Sequence, residues 1–524
     1  MPISQEMAII NNKDIDKHTP QSIAEFFAHK NVFITGGTGF LGTVLVEALL
    51  SSTQDIGVIY LLVRGKYGYD PNERINRMLS KPIFAKHDEK TLQKVVPVVG
   101  ELSDPNLGMK EELLNELLEK VHVIFHSAAT IRFRTPLRTA IKTNLTGTLR
   151  TVEFAKRLKS LAAYVYLSTA FCNSNTRGYI EERIYKSKYD PYEMIKMAED
   201  DSVWTDFTSE KLKEYIGDHP NTYTFTKNLA ENLMEREMSG LPTAIVRPSV
   251  VYGTYEYPTK GWVGNATSGH LGFLAGYIKG VFRTICGQPS STIDIIPCDF
   301  VINSSLIMAY YVGTRKLEKP EIIHCTSGEV NPLTLLEFTN IINKVVKEHP
   351  SDRAIFVPSA KLRNGWRYTL FFYLFQILPS MFALLPEKFL KLGMTHHSLL
   401  GYMTVFDRAT KAFGYFLDKD FRYSLKNALR ILQEVNEEDR QRYNYDCSSC
   451  DWNELMTRCI IGIRHFYFKE SAKTTKRHHF VLSLLYKIIL IATNSLLCAV
   501  LATFIGLPYA ILVVFSVAAF LTWL

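Results

Sequence analysis

The sequence predicts an α/β fold in which a doubly wound parallel sheet is followed by a helical C-terminal domain and C-terminal transmembrane helices. Strand-like and helix-like patterns alternate from residue 31 to about 345, which is typical of a parallel sheet covered by helices on both faces. A glycine-rich turn follows the first strand pattern, and residues 488–524 contain no charged side chain. The 524 residues are too many for one compact domain, so two or three domains are expected.

The individual elements are predicted from short apolar runs of strand length and from longer patterns with helical spacing. Strands are predicted at residues 32–34, 58–63, 95–99, 121–125, 163–167 and 243–246. Helices are predicted between them, including residues 111–119 and 147–158. The proline- and charge-containing segment 347–367 is interpreted as a linker, and residues 404–469 as a polar, helix-rich unit.

Residues 31–42, NVFITGGTGFLG, combine a buried strand, a tight turn and a helix N-terminus. Gly36 permits a turn that a side chain would block, Gly39 lets the backbone approach a pyrophosphate, and Gly42 lets the helix pack closely on the strand. A diphosphate would then lie on free N–H groups at the positive end of the helix dipole. This context predicts a Rossmann nucleotide site, and a purely structural turn is the alternative. The predicted cofactor-binding residues are Thr35, Gly36, Gly37, Thr38, Gly39, Phe40, Leu41 and Gly42.

The second strand pattern ends in two cations, Arg64 and Lys66. Enzymes that prefer NAD usually place a carboxylate at this point to bind the ribose 2′-hydroxyl, whereas cations suit the 2′-phosphate of NADP. The sequence therefore favours NADPH over NADH, with Arg64 and Lys66 as predicted cofactor-binding residues. The alternative is that both are ordinary solvated charges at a strand end.

Three side chains predict an active site. Tyr223 and Lys227 are four residues apart and share one face of a predicted helix. An ammonium beside a phenol favours the phenolate, so we expect Lys227 to lower the pKa of Tyr223 and make it a better proton donor and acceptor. Thr169, at the end of the fifth strand pattern, can hold a substrate oxygen beside that phenol. Chance produces this spacing often, and a core tyrosine with a surface lysine is the alternative.

Residues 125–129, FHSAA, close the fourth strand pattern. Small residues at the carboxyl end of a strand leave space for the ribose of a cofactor, so His126, Ala128 and Ala129 are predicted to contact it. The glycine turn, this strand end, Thr169 and the Tyr223–Lys227 pair follow one another along the chain in the order that a reductase site requires. Their combination is more informative than any one of them.

At this point the chain resembles the extended short-chain dehydrogenase/reductase superfamily and, within it, the animal (insect-type) fatty acyl-CoA reductases. The resemblance covers nearly the whole chain. It is carried by residues 32–42, 61–64, 126–130, 168–173, 221–227, 245–249, 261–262 and 296–303. Asp451-Trp452, residues 462–464 and the apolar tail resemble the C-terminal part of that family.

The resemblance implies roles for individual residues. Tyr223 would be the catalytic acid, Lys227 its partner on the ribose, and Thr169 the hydroxyl at the substrate oxygen. Asn144 would support the proton relay, and Pro248 would lie beside the nicotinamide. The implied reaction reduces long-chain fatty acyl-CoA to fatty alcohol with two NADPH, through a bound aldehyde and with release of CoA. Such a reaction would serve lipid, wax or ether-lipid precursor metabolism.

Composition narrows the expected partners and compartment. Lys+Arg 60 minus Asp+Glu 52 gives a net charge of +8, spread along the chain without a long basic block, so no nucleic acid is expected. Eight cysteines, mostly inside apolar runs, indicate reduced thiols in the cytosol. No metal is expected, although the lone Cys447-x-x-Cys450 pair leaves a zinc site open. The expected partners are long-chain acyl-CoA and membrane lipid, and a homo-oligomer stays open.

The C-terminal apolar tail is predicted to enter a membrane. At about 1.5 Å per residue, residues 488–524 exceed the roughly 30 Å of hydrocarbon in a bilayer. One or two helices are expected, near 483–503 and 508–524, and the lysines before them would keep residues 1–480 in the cytosol. A buried helical hairpin is the alternative. The uncharged segment 368–385 contains Pro379, so it is predicted to dip into the membrane or line the substrate rather than to cross.

The predicted organisation is a lead (1–30), an NADPH-binding reductase domain (31–345), a linker with an apolar membrane-proximal segment (346–400), a helical C-terminal domain (401–470) and a transmembrane tail (480–524). The expected location is an intracellular membrane, either endoplasmic reticulum or peroxisome, with the catalytic domain facing the cytosol. Two other functions stay open. One is a membrane-bound hydroxysteroid or nucleotide-sugar oxidoreductase of the same fold, and the other is a cofactor-sensing scaffold without turnover.

Overall fold

The computed structural model describes residues 21–65, 68–176, 178–264, 269–354, 357–377, 414–417 and 421–470, with isolated positions 484, 499, 503, 508 and 509. Its centre is a seven-stranded sheet in which every neighbouring pair is parallel. The strands are β1 Asn31–Thr35, β2 Ile59–Val63, β3 Val95–Val99, β4 Val121–His126, β5 Ala163–Leu167, β6 Thr243–Pro248 and β7 Glu321–Cys325.

The strand order across the sheet is β7-β6-β5-β4-β1-β2-β3. The order reverses between β1 and β4, and a doubly wound sheet opens its ligand crevice outside the carboxyl ends of the strands at such a point. The register brings Thr35 opposite His126, and His126 opposite Tyr166, so β1, β4 and β5 end at the same edge. The predicted doubly wound Rossmann sheet is confirmed.

The sequence analysis missed β7. Its residues, EIIHC, carry an acid and a histidine within five positions, so the apolar run is too short to predict a strand. In the structure His324 is fully buried, with its Nδ1 hydrogen-bonded to the Ser424 carbonyl at 2.9 Å and its Nε2 3.2 Å from Arg247 Nη1. The polar side chain is accommodated because two distant parts of the chain supply its partners.

Helices cover both faces of the sheet. The glycine-loop helix, Phe40–Ser52, follows β1, and the active-site helix, Thr222–Glu237, is buried over most of its length. The other α-helices of the described residues are Ile23–Phe27, Pro71–Leu79, Glu89–Leu92, Glu111–Lys120, Leu137–Ala140, Gly147–Arg157, Pro191–Glu199, Asp201–Thr205, Ser209–Ile216, Gly269–Ile278, Cys298–Gly313, Leu335–Glu348, Gly365–Phe371, Lys426–Glu434, Glu437–Arg442 and Trp452–Gly462.

Shorter elements complete the described part of the chain. The 3₁₀ helices are Pro82–Phe84, Pro105–Gly108, Ala170–Asn173 and Cys447–Ser449, and the π-helical turns are Ile141–Thr146, Phe372–Ile377 and Ile463–Tyr467. Short strands pair outside the main sheet: Tyr179–Ile180 with Arg422–Tyr423, Val250–Tyr252 with Ile295–Pro297, Thr284–Cys286 with Lys361–Arg363, and Thr292–Ile293 with Leu333–Thr334.

Regular structure occupies much of the segment interpreted as a linker. The helix Leu335–Glu348 runs into it, and the strand Lys361–Arg363 pairs in parallel with Thr284–Cys286. Tyr368 and Phe371, which open the apolar segment, are buried in the protein. The short strand could not be predicted, because it gains its hydrogen bonds from a partner far away along the chain. Residues 378–385 of the apolar segment lie outside the described residues.

The C-terminal helices share a core with the reductase region. Trp452, Leu455 and Met456 belong to the same buried cluster as the glycine-loop helix and the Leu335–Glu348 helix. A remote carboxylate also joins the two regions, because Glu182 accepts hydrogen bonds from the backbone N–H groups of Asn427 and Ala428 at the start of the Lys426–Glu434 helix. The C-terminal region is therefore packed directly against the sheet domain.

No helix in the described ranges combines the length and the apolar character that a membrane crossing requires. The predicted transmembrane tail, residues 480–524, lies outside the described residues apart from the five isolated positions, so it stays a prediction.

Candidate functional site

The glycine turn forms a closely packed cradle at the carboxyl end of β1. Gly36 has a φ of 76°, and a Cβ there would lie 2.8 Å from the backbone nitrogen of Ala128. A Cβ on Gly42 would lie 2.3 Å from the carbonyl oxygen of Gly36, so the helix can approach the turn only without a side chain. Gly39 is the N-cap of the glycine-loop helix. These backbone features match what a dinucleotide diphosphate requires.

The ends of β1 and β4 are locked together beside this cradle. The Thr35 hydroxyl is 2.7 Å from His126 Nδ1 and accepts a hydrogen bond from the backbone N–H of Ala128. His126 Nε2 lies 3.0 Å from the Thr148 hydroxyl. Burial, together with the charge of Lys227, lowers the pKa of His126 to about 3, so the ring is neutral at physiological pH. His126 therefore positions the strand end, while Ala128 and Ala129 are partly exposed at the crevice.

Tyr223 and Thr169 meet at the carboxyl end of the sheet. Asn221 caps the active-site helix through a hydrogen bond from the Thr224 N–H, and Tyr223 lies in its first turn. The Thr169 hydroxyl lies near the Tyr223 phenol, since it counters part of the rise in the pKa of Tyr223 that burial causes. Thr169 Oγ1 also lies 3.5 Å from the carbonyl oxygen of Pro248, the last residue of β6. The sequence analysis predicted Thr169, Tyr223 and Pro248 as site residues, and the structure brings the three close together.

The electrostatic expectation for Tyr223 differs from the structure. Burial raises its pKa, and a hydrogen bond from Thr169 opposes this effect only in part. Lys227 turns away from the phenol: its Nζ donates to the Leu167 carbonyl at 2.7 Å and to the Tyr166 hydroxyl at 3.2 Å. The prediction that the ammonium lowers the pKa of Tyr223 is therefore wrong for this structure. The ammonium of Lys227 is hydrogen-bonded to the Leu167 carbonyl and the Tyr166 hydroxyl instead. A phenol that keeps its proton suits a general acid.

Lys227 is almost fully buried, and its desolvation is only partly offset by the nearby carboxylate of Glu231. Its pKa is lowered to about 7, since the charged form loses its hydration. Its Nζ lies 4.4 Å from the centre of the Tyr166 ring. A buried ammonium at the end of β5 is well placed to donate to hydroxyl groups of a bound ribose.

Asn144 supports the site from a π-helical turn, Ile141–Thr146. Its Oδ1 accepts from the Thr130 N–H at 2.8 Å, and its Nδ2 donates to the Thr226 hydroxyl at 3.0 Å. These bonds tie the loop after β4 to the active-site helix. The described contacts thus place Asn144 behind the Tyr223 turn, where it holds the backbone in position.

The helix that follows β2 carries a cation that the sequence analysis overlooked. Arg74, on the Pro71–Leu79 helix, donates through Nη2 to the Thr38 hydroxyl at 2.9 Å and through Nη1 to the Arg64 carbonyl at 2.5 Å. It bridges the glycine turn and the strand that normally selects the ribose substituent. Arg64 is paired with Glu101 at 2.8 Å, and Lys66 lies outside the described residues. The one sequence signal for Arg74 is its place on the helix that follows β2, close to the end of that strand.

A buried ion pair lies directly behind the catalytic strand ends and was also missed. Arg247, on β6, and Glu231, on the active-site helix, are 2.6 Å apart and almost completely inaccessible. Glu231 Oε1 also accepts from the Ser168 hydroxyl at 2.5 Å and from the Cys172 thiol at 3.2 Å. Burial raises the pKa of Cys172, so this thiol stays protonated. The sequence could not predict the partners of the Glu231 carboxylate, because Ser168, Cys172 and Arg247 lie in other segments of the chain.

An aromatic wall extends from Tyr223 into the C-terminal region. The wall consists of Phe133, Phe171, Phe416, Phe421 and Tyr423. Phe133 stacks on Tyr223 with ring centres 6.3 Å apart, and Phe416 contacts both Phe133 and Phe171 at 5.9 and 5.0 Å.

Within the described residues, no group of three or more histidine, cysteine, aspartate or glutamate side chains could hold a metal ion.

Two family models match the chain. An NAD-binding model described as male sterility protein matches residues 34–305, and the Sterile model, with the same description, matches residues 375–470. A candidate fatty acyl-CoA reductase of Drosophila melanogaster is 64% identical over 97% of this chain and 94% of its own length. Fatty acyl-CoA reductase 1 of Xenopus laevis is 34% identical, covering 86% of this chain and 87% of its own length.

Solved structures show the same fold at low identity. The terminal reductase domain of the myxalamid biosynthetic pathway aligns with a TM-score of 0.56 and 19% identity, covering 84% of this chain and 92% of its own. The reductase domain of a nonribosomal peptide synthetase from Mycobacterium tuberculosis aligns with a TM-score of 0.53 and 16% identity, covering 83% and 91%.

Proposed function

Because the chain belongs to the fatty acyl-CoA reductase family, we propose that it reduces long-chain fatty acyl-CoA to fatty alcohol with two molecules of NADPH. The observation that carries the proposal is the proximity of Tyr223 and Thr169 at the sheet edge that also bears the glycine cradle. The enzyme is an oxidoreductase that produces fatty alcohol. The roles of individual residues, the choice of NADPH and the aldehyde intermediate are part of the proposal.

The residues divide the work between binding and proton transfer. The glycine turn and the N-terminus of its helix hold the diphosphate, and Lys227 holds the ribose. A reduced nicotinamide bound there supplies hydride to the carbonyl carbon. Tyr223 and Thr169 donate hydrogen bonds to the carbonyl oxygen as negative charge develops on it, which stabilises the transition state. The protonated phenol then gives its proton to the oxygen.

The overall reaction balances over two rounds. In the first round a hydride adds to the thioester carbonyl, the C–S bond breaks, and the thiolate leaves and takes a proton as free CoA. In the second round a hydride adds to the aldehyde, and Tyr223 protonates the alkoxide. In sum, acyl-CoA, two NADPH and two protons yield alcohol, CoA and two NADP⁺. No enzyme thiolate is needed, which agrees with the raised pKa of Cys172.

The pH dependence of cofactor binding is expected to report on Lys227. With a pKa of about 7, this side chain loses its ammonium charge as the pH rises through neutrality. We expect the dissociation constant for NADPH to be constant below about pH 7 and to rise above it, because the neutral amine is a weaker donor to the ribose. Titration of NADPH fluorescence against pH measures this directly.

The matched variant for this test is Lys227→Arg, which stays protonated over the whole range. Its dissociation constant is expected to show no transition near neutrality, whatever its absolute value. A wild-type profile that is flat through pH 7 would contradict the role given to Lys227. Folding stability is expected to change with pH in the opposite direction to cofactor binding. Between about pH 7 and 10.5 the unfolded chain keeps the Lys227 proton that the folded chain has lost. Because the unfolded state then binds more protons, this residue makes the free energy of unfolding rise with pH over that interval.

Arg74 is expected to contribute to the preference for NADPH over NADH. Substitution of Arg74 by methionine removes a guanidinium between the glycine turn and the end of β2. We expect this substitution to weaken NADPH binding by about 10- to 100-fold, which is the effect of losing a charge-assisted hydrogen bond to the 2′-phosphate. NADH has no 2′-phosphate, so its binding should stay nearly unchanged. Calorimetric titration with both cofactors measures the ratio.

Arg77→Met is the control for Arg74. Arg77 lies on the same helix, but its guanidinium stacks 4.1 Å from the centre of the Tyr69 ring. This variant should leave both affinities unchanged. Equal weakening of NADPH and NADH in Arg74→Met would show that the residue only holds the turn.

Product analysis with the full-length protein in membranes tests the proposed function. Supplied with long-chain acyl-CoA and NADPH, the protein should release free CoA and consume two NADPH for each fatty alcohol. NADPH consumption with a steroid or a nucleotide sugar, but not with acyl-CoA, would favour the other oxidoreductases of this fold. Cofactor binding without turnover on any acyl-CoA would favour a sensor.

The membrane setting is also part of the proposal. Residues 480–524 would anchor the protein in the endoplasmic reticulum or the peroxisome, with the catalytic domain facing the cytosol, and membrane lipid would be the surrounding partner. The uncharged tail and the lysines before it support this arrangement. An anchored enzyme suits a long acyl chain, because substrate and product both partition into lipid. The oligomeric state stays a prediction.

A further inference from the structure

A large apolar cavity lies beyond the carboxyl end of β6. The space within it, including the part open to solvent, is about 990 Å³. Its walls come from the short strands Val250–Tyr252 and Ile295–Pro297, the helix Leu335–Glu348 and residues 414–417 of the C-terminal region. The cavity thus lies between the sheet domain and the C-terminal region.

The cavity borders the aromatic wall that begins at Tyr223. Phe171, two positions after Thr169, lines the cavity, and so does Phe416. Phe416 contacts Phe133, whose ring stacks on Tyr223. The aromatic side chains therefore lie between the cavity and the catalytic phenol, and the proposal below requires that they leave a path for an alkyl chain.

The cavity lining consists mainly of apolar side chains. Val250, Ile295, Leu335 and Phe338 contribute apolar side chains. Among the described residues that line the cavity, Asp294 is the one acid, and its carboxylate accepts hydrogen bonds from the N–H groups of Ser327 and Gly328. Because these bonds occupy its oxygen atoms, the walls are suited to an alkyl chain and poorly suited to a sugar or a phosphate.

We propose that this cavity receives the alkyl chain of the acyl-CoA, so that its far wall determines the longest chain the enzyme reduces. The proposal rests on the proposed function and adds the location and the chain-length limit. Leu335 and Phe338, one turn apart on the Leu335–Glu348 helix, line the cavity, and the proposal assigns them to that wall. A larger side chain there shortens the space available to the alkyl chain, and a smaller one lengthens it.

Leu335→Trp tests the first consequence, and its sequence neighbour is the control. Leu335 is 4% exposed and faces the cavity, whereas Leu336 is 45% exposed. With a series of acyl-CoAs of graded length, Leu335→Trp should lower the ratio of long-chain to short-chain kcat/KM at least about tenfold. Leu336→Trp should retain the wild-type ratio, and Phe338→Ala should shift the preference toward longer chains.

A photoreactive acyl-CoA with a diazirine near its methyl end tests the location without requiring turnover. After irradiation of the full-length protein, the label should map to peptides that contain Leu335 or Phe338, and excess unlabelled acyl-CoA should suppress it. This experiment keeps the proposal testable if Leu335→Trp fails to fold.

The outcomes separate the two proposals. Failure of the wild-type protein to reduce any acyl-CoA would overturn the proposed function, while labelling would still test the cavity. A wild-type protein that reduces acyl-CoA, with chain-length ratios unchanged in both Leu335→Trp and Phe338→Ala, would overturn the cavity assignment alone. Specific labelling confined to other segments would do the same.

Discussion

Tyr223→Phe is expected to lower the rate of alcohol formation by about 10²- to 10⁴-fold, the range for losing a general acid or an oxyanion donor. The substitution removes one hydroxyl, which lies near Thr169 and keeps its proton because burial raises its pKa. Thr169 remains as a donor to the carbonyl oxygen, so some activity should persist. Single-turnover measurement with saturating NADPH and acyl-CoA isolates the chemical step.

The control for this prediction is the same chemical change elsewhere. The Tyr189 hydroxyl donates to the Glu214 carbonyl at 3.3 Å, outside the site, and Tyr189→Phe should keep wild-type activity. NADPH affinity of Tyr223→Phe should also stay near the wild-type value, because Lys227 rather than Tyr223 holds the ribose. Equal alcohol output from Tyr223→Phe and wild type would remove the phenol from the mechanism.

Breaking the buried Arg247–Glu231 pair is expected to cost about 3–5 kcal/mol of the free energy of unfolding. Both side chains are at most 1% exposed, so removal of either partner leaves an uncompensated charge in the interior. Glu231→Leu should also disturb the active site, since Ser168 beside Thr169 and the ammonium of Lys227 both interact with this carboxylate. Denaturant unfolding of the full-length protein in detergent measures the loss.

A double-mutant cycle gives this prediction its control. Arg247→Met combined with Glu231→Leu should recover much of the stability lost in either single variant, because no isolated charge remains. The exposed pair Arg64–Glu101 provides the comparison, and breaking it should change stability by no more than about 1 kcal/mol. Additive losses at the buried pair would show that the two side chains do not depend on each other.

Local features of the sequence were sufficient for the sheet and the cradle. The strands β1 to β6 were predicted because each is an apolar run bounded by turn residues, and the glycine turn because its function depends on backbone geometry. Strand β7 was not, since its buried His324 finds partners on Arg247 and at Ser424. Arg74 was overlooked for a similar reason, because its contact with Thr38 joins a helix to a distant turn.

By itself, the sequence determined the doubly wound sheet and the position of the nucleotide cradle, and it predicted Tyr223, Thr169 and Lys227 as site residues. These follow from residue type and spacing within single elements, which the chain carries locally. Tertiary structure alone decided that Lys227 bonds to Leu167 and Tyr166, that Tyr223 keeps its proton, and that an apolar cavity borders the aromatic wall. Those properties depend on burial and on partners from distant segments, and hydration is lost only when the segments pack together.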